Sequence, residues 1–155
     1  MITDSGERRE FPTGAVRDIQ KGKGEPTLMP LMVVARLLEV RTGDYIIKSI
    51  ANFLETNDTK HLYAALLSFA HHAYRGSVET MLLEVSVHYE EGCEKYGRDN
   101  WKKGLPANCY MNSAIRHYLK YRRRDNDEDH ARSFVWNLMC CIWEVNYHEN
   151  KTAEN

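Results

Sequence analysis

The chain has 155 residues, one domain's worth on ordinary domain sizes, with 43% hydrophobic and 28% charged residues. That balance is usual for a globular protein and argues against wholesale disorder. A formal net charge of −1 excludes a polycation that grips nucleic acid through bulk electrostatics, so any phosphate contact must come from local clusters.

No apolar run approaches the roughly 18 residues that cross a bilayer, and the opening MITDSGERRE is polar, unlike a secretory leader. A cytoplasmic location with no membrane partner is expected. Cys93, Cys109, Cys140 and Cys141 show neither CxxC spacing nor a disulfide framework. They read as small buried hydrophobes in a reducing compartment.

Residues 1–26 stand apart. SGERREFPTGAVRDIQKGKGEP is rich in Gly, Pro, Arg and Lys and lacks an amphipathic period, which predicts an extended arm. Arg8, Arg9, Arg17, Lys21 and Lys23 make it basic. It is either a solvated tail or an arm that folds over an anionic ligand or a partner subunit.

From residue 27 to 150 the pattern predicts one helical domain. LMVVARLLEV places Leu31, Val34, Leu37 and Leu38 on one helix face. In TGDYIIKSIANFLETND, Asp44 is the candidate N-cap, and Ile46, Ile47, Ile50, Phe53 and Leu54 form the stripe. The next segment carries Leu62, Leu66, Phe69 and Ala70 and ends at Gly76. SVETMLLEVSVHYEEGCEKYG begins with the cap candidates Ser77 and Thr80, offers Leu82, Leu83, Val85 and Tyr89 as apolar positions, and stops at Gly97. After the loop RDNWKKGLP come a fifth helix, NCYMNSAIRHYLKYRRR, and a sixth, DEDHARSFVWNLMCCIWEVNYH, with acids at its start. No segment alternates long enough to demand a strand. The fold class predicted is all-α, a bundle of five to six helices with a basic N-terminal arm.

The stripes beginning at Leu31 and Ile46 either contact a second subunit across a two-fold axis or form the monomer core. A homo-oligomer is expected.

Chemistry-bearing residues concentrate in three places. Glu84, His88, Glu91 and Lys95 recur at steps of four, three and four, along one helical stripe, with Glu90 and Glu94 on its neighbour. Such a helix presents either a solvated face or a carboxylate array for a hard cation. The second place is Asp125, Asp127, Glu128, Asp129 and His130, preceded by Arg116, His117, Lys120 and Arg122 to Arg124. Helix dipoles alone would explain bases at one helix end and acids at the next start. Antiparallel packing of the last two helices would bring carboxylates, two histidines and several arginines together. The third is the loop holding Arg98, Asn100, Trp101, Lys102 and Lys103, where a Trp beside amides and cations suits either base stacking or a core lid.

The strings EEGCEKYGRDNWKKGLP and SAIRHYLKYRRRDNDEDHARSFVWNL, with RREFPTGAVRDIQKGKG before them, resemble the dATP/dGTP diphosphohydrolase-like proteins of phages and Firmicutes. The resemblance runs from about Ser5 to Trp143. It implies hydrolysis of dATP or dGTP to the monophosphate and pyrophosphate, a link to the all-α MazG-like pyrophosphohydrolases, assembly as dimers or tetramers, and, for a phage-encoded chain, the host cytoplasm. That superfamily binds Mg²⁺ through EExxE on one helix and ExxD on another. Glu90, Glu91 and Glu94 match the first half here. The second half departs, because Ala131 stands where an ExxD begun at Glu128 needs Asp. Asp127 and His130, three apart, are candidates for the missing ligand.

The expected site therefore holds Mg²⁺ or Mn²⁺ on Glu91, Glu94, Asp127, Glu128 and His130, with Glu90 or Glu91 accepting the proton of the attacking water. Lys95, Arg98, Arg116 and the arm's Arg17 and Lys23 would meet the phosphates, Tyr96 or Trp101 would stack on the purine, Asn137 would hydrogen-bond the sugar or base, and Asn100, Lys103 and His117 complete the substrate-binding set. A purine dNTP is the expected partner and long nucleic acid is not. Two rival readings stand beside this one, a nucleotide binder without turnover and a helical scaffold that only oligomerises.

Overall fold

Apolar residues recurring at three- and four-residue steps build the molecule. In the computed structural model, which describes residues 6–148, six α-helices are present among the described residues. They are α1 (Leu31–Thr42), α2 (Ile46–Thr56), α3 (Lys60–Ala73), α4 (Val78–Tyr96), α5 (Ala107–Arg123) and α6 (His130–Trp143). Residues 1–5 of the expected arm and 149–150 of the expected helical domain lie outside the described residues. No described helix is long and apolar enough to cross a membrane.

Within the arm stands a two-stranded antiparallel hairpin that the sequence pattern did not demand. Strand β1 (Arg8–Glu10) pairs with β2 (Val16–Asp18), with Arg9 opposite Arg17. Its turn closes through the Phe11 N–H to the Ala15 carbonyl at 2.9 Å. Strands of three residues carry too little periodicity to be recognised, and a lone hairpin is marginal without a surface to pack on. Here the bundle supplies that surface. Ala15 is buried, Thr13 donates to the Gly104 carbonyl at 2.7 Å, and the Asn100 amide accepts from the Val16 N–H and donates to the Val16 carbonyl, both at 3.1 Å.

The core forms where α2, α3, α5 and α6 meet. Ile46, Ile47, Ile50 and Phe53 from α2 and Leu62, Leu66, Phe69 and Ala70 from α3 are buried as expected. The α2 stripe is therefore monomer core. Phe69 sits against Tyr118, Tyr121 and Phe134, with ring centroids 4.6–6.1 Å apart. Helix α1 differs from expectation: Leu31 and Ala35 are buried and Leu37 is 68% exposed. It packs on α2 and on the short turn Pro26–Leu28, which cover a narrower face than a full stripe. In α4, Met81 and Val85 are inside while Leu82 and Leu83 are exposed.

Helix ends follow the capping rules with one shift. Ser77 caps α4 by accepting from the Thr80 N–H at 3.1 Å. Asp44 accepts from the Ile46 N–H at 2.9 Å, although Tyr45 holds the cap position of α2. Asp44 is 2% exposed, and it also accepts from the Tyr118 hydroxyl of α5, with Arg122 3.9 Å away. It thus fastens α2 to α5. At Gly104 a Cβ would come within 2.8 Å of His148 and 3.1 Å of Glu144, and φ is +95°, so only glycine passes there. Of the four cysteines, Cys140 and Cys141 are buried as expected, Cys109 is intermediate and Cys93 is exposed.

Replacing Asp44 with alanine strips the Tyr118 hydroxyl of a buried acceptor and α2 of its first-turn bond. Asp44→Ala is expected to lower the unfolding free energy in urea by about 2–4 kcal/mol; a loss under about 0.5 kcal/mol, the range of an ordinary surface substitution, would show the link to be dispensable.

Candidate functional site

A concavity of about 470 Å³ opens between the hairpin, the C-terminal half of α4, α5 and the start of α6. That volume is in the range of small-ligand sites. The hairpin forms one wall. Asp18 anchors it by accepting from the Tyr96 hydroxyl at 2.9 Å and pairing with Lys95 at 3.3 Å and Arg8 at 3.1 Å. Arg17, between these two anchors, extends into the cleft. Its guanidinium donates to Ser113 Oγ at 3.2 Å and Asn137 Oδ1 at 3.4 Å and lies 5.5 Å from the Trp136 ring.

Cations crowd this cleft. Arg9, Arg17, Lys23, Arg116 and Lys120 line it, against the acids Asp18, Asp127 and Glu128, and Asp18 is already paired. Burial pushes Arg116 down to about 10, helped by Arg17 and Arg9. Lys23 is lowered by burial as well, with Arg116 and Arg17 adding to the effect against Asp18. Like charges held together out of water are costly, and an anion relieves that cost. Arginine forks are suited to a phosphate oxyanion.

At the far side, α5 and α6 run antiparallel, as the contacts His117–His130 and Tyr110–Trp136 show. Asp125, Asp127 and Glu128 fall in the connecting loop rather than in α6, because Asp129 caps that helix by accepting from the Arg132 N–H at 2.9 Å. The short loop turns Glu128 back onto both histidines. His117 Nδ1 stands 2.9 Å from His130 Nδ1 and 3.3 Å from Glu128 Oε1, and His130 Nδ1 is 3.6 Å from that oxygen. His130 Nε2 lies 2.7 Å from Asp127 Oδ1, and that contact holds the Asp127 carboxyl below the usual range. Two donor groups could hold a metal ion among the described residues: His117, Glu128 and His130, or Asp125, Asp127 and His130. His117, Asp127 and Glu128 border the cleft, whereas Asp125 is held by a two-pronged bond from Arg123 at 2.6 and 2.8 Å.

The expected site residues divide. Arg17, Lys23, Tyr96, Asn100, Trp101, Arg116, His117, Asp127, Glu128 and Asn137 all border the cleft, and His130 stands directly behind His117. Lys95 reaches the same region but is engaged with Asp18, and the Asn100 amide is spent on Val16; both hold the hairpin. Arg98 lines a neighbouring recess of about 340 Å³ behind Trp101, and Lys103 is exposed.

The EExxE carboxylates lie outside both donor groups. Glu90 and Glu94 are exposed, and none of Glu90, Glu91 and Glu94 joins either donor group. The inward stripe of α4 is the other one. Glu84 accepts from Arg132 of α6 at 2.6 and 2.9 Å, His88 packs 5.7 Å from the Trp136 ring, Glu91 is half-buried, and Lys95 meets Asp18. A 3.6-residue repeat keeps Glu91 on the His88 stripe and leaves Glu90 and Glu94 facing out once His88 faces in.

Sequence reasoning named Arg9 only as one cation of the basic arm and missed Asp18, Ser113 and Trp136 in the cleft wall. Asp18 carries no signal because its strand is too short to read. Ser113 on α5 and Trp136 on α6 both line the cleft and both meet the Arg17 guanidinium. His88, noted on the stripe, also lines the cleft. Burial lowers it to about 4, with Glu91 pulling the other way.

Because the His88 value lies below its ordinary one, the unfolded chain binds that proton more readily. The neutral ring's contribution to stability is present above about pH 6.5 and is lost as pH falls from there toward 4. NMR of the folded protein should show the His88 ring unchanged from pH 8 to 5.5; a midpoint near its ordinary value would show the ring to be solvated.

The chain has no significant match among curated proteins or among solved structures. A family model described as dATP/dGTP diphosphohydrolase, N-terminal, matches residues 54–154. The span starts near the end of α2 and takes in α3 to α6, hence both histidines, Glu128 and Arg116, while Arg17 and Lys23 precede it. With more than half its length matched, the chain belongs to the dATP/dGTP diphosphohydrolase N-terminal domain family.

Proposed function

We propose that the protein hydrolyses a purine deoxynucleoside triphosphate, dATP or dGTP, to the monophosphate and pyrophosphate with a divalent metal ion. One observation carries this reading beyond the family: a histidine–carboxylate cluster with metal-ligand spacing borders the same cleft as Arg17, Lys23, Arg116 and Lys120. Cation-binding donors beside phosphate-binding cations are what phosphoanhydride cleavage requires.

The resemblance implies Mg²⁺ or Mn²⁺. Two ring nitrogens and a carboxylate oxygen, all within 4.8 Å of one another, fit a divalent ion, with His117, His130 and Glu128 holding it. Such an ion, when bound, offsets phosphate charge and makes water a better nucleophile. The chain's own side chains do the rest. Arg17 and Arg116 grip phosphate oxygens, with Lys23 and Lys120 beside them as point charges, and this charge stabilises the departing pyrophosphate. Trp101 and Tyr96 offer ring faces to the purine. Asn137, whose Oδ1 meets Arg17 and whose Nδ2 donates to the Ser133 carbonyl, positions that arginine. Of the two carboxylates offered for proton transfer, Glu90 is exposed away from the cleft. Glu91 lies on the inward stripe, where its charge acts on His88, and takes that role.

Purified protein with dATP or dGTP is expected to release pyrophosphate only with a divalent ion present. Arg17→Ala should lower kcat/KM about 10- to 100-fold, the worth of a charge-assisted hydrogen bond. Nucleotide binding that survives EDTA without any turnover would replace this reading with that of a non-catalytic binder.

A further inference from the structure

The metal cluster has a more specific shape than a generic divalent site. Three lone-pair atoms converge with separations of 2.9, 3.3 and 3.6 Å: His117 Nδ1, His130 Nδ1 and Glu128 Oε1. Ligands bonded to one ion at about 2.0–2.2 Å, at octahedral or tetrahedral angles, stand about 2.8–3.6 Å apart. The triangle therefore already has the edges of a coordination face. A proton on His117 Nδ1 can serve the His130 nitrogen well and the Glu128 oxygen poorly, whereas one cation serves all three.

The orientation of His130 adds a second observation. Its side chain is 1% exposed, and its Nε2 lies 2.7 Å from Asp127 Oδ1. A carboxylate at that distance accepts the Nε2–H, which leaves the Nδ1 lone pair for the cluster. A carboxylate behind a ligating imidazole is how proteins fix the tautomer and ring direction of a metal ligand. His117 and Glu128 border the cleft while His130 is buried behind them, so the open coordination positions face the space lined by the phosphate-binding cations.

We infer that His117, His130 and Glu128 form a two-histidine, one-carboxylate face for a late first-row divalent ion, of the Fe²⁺, Co²⁺, Ni²⁺ or Zn²⁺ class, with Asp127 as the residue that orients His130. Imidazole nitrogens favour those ions, whereas Mg²⁺ prefers an all-oxygen shell. The inference deepens the hydrolase reading by naming the ion's class and its ligands, and places the ion away from the EExxE stretch of α4. The alternative group with Asp125 is disfavoured by Arg123, which occupies both Asp125 oxygens.

Cobalt is the probe. Titration of the metal-free full chain with Co²⁺ should give one equivalent of visible d–d absorption, undisturbed by about a hundredfold excess of Mg²⁺. His117→Gln and His130→Gln should abolish it, and Asp127→Asn should weaken cobalt binding by about 10–100-fold, with circular dichroism confirming the helices. X-ray absorption on the wild-type cobalt form, which needs no variant to fold, should read two imidazoles. An all-oxygen shell, displacement by comparable Mg²⁺, or loss of the bands in Glu91→Gln/Glu94→Gln or Asp125→Asn with His117→Gln retaining them would each overturn the assignment. Cobalt bound as described without dATP or dGTP hydrolysis removes the hydrolase reading and keeps this one. Turnover with Mg²⁺ alone that is untouched by His117→Gln does the reverse.

Discussion

The antiparallel seam between α5 and α6 is the constraint on which the rest depends. Residues 124–129 reverse the chain in a short loop, so side chains thirteen positions apart in sequence, His117 and His130, come within 2.9 Å. The same seam places Ser113 opposite Asn137 and Tyr110 against Trp136. What holds it is apolar: Met111, Ala114, Ile115 and Tyr118 from α5 pack with Phe134, Val135 and Leu138 from α6, all nearly free of solvent. Burial on that scale stabilises by roughly 25 cal/mol per Å², enough to force polar groups into close quarters that they would not choose alone. The site is thus a by-product of core packing in position, though not in chemistry.

On the opposite wall the hairpin solves a different problem. Three-residue strands have almost no intrinsic stability, yet β2 carries Arg17, which lines the cleft and meets both α5 and α6. Stability is borrowed from the bundle through the two Asn100 bonds, the Asp18 anchors and the Thr13–Gly104 link. Five separate attachments hold the hairpin on both sides of Arg17. Its guanidinium therefore arrives preorganised, and little rotamer entropy remains to be lost when an anion binds. Burial, with neighbouring cations adding to it, lowers Arg116 and Lys23, and this is the electrostatic counterpart of that preorganisation.

Helix α4 shows how one turn of register separates two chemical fates. Glu84, His88, Glu91 and Lys95 share the inward stripe and each finds work against α6 or the hairpin. Glu90 and Glu94, a step round the helix, meet water. A string of letters such as EExxE does not distinguish these faces, because its members straddle them. The metal-ligand spacing appears instead across the α5–α6 seam, where nitrogen donors take part.

The sequence by itself determined the helices, most of their ends and much of the cleft's membership. Apolar periodicity located α2 and α3 with their buried residues, Ser77 and Gly97 marked the ends of α4, and the local density of charge singled out Arg116, His117, Glu128 and His130. These are short-range matters, set by 3.6-residue geometry and by the hydrogen-bonding needs of helix termini. Only the tertiary packing decided which α1 and α4 positions stay exposed, that the arm folds into a hairpin, and that Asp18 and Trp136 line one cleft. It also decided that Asp127 stands behind His130 while Glu94 points to solvent. Each of these is a relation between segments far apart along the chain, fixed by how helices nest against one another, and no local pattern encodes it.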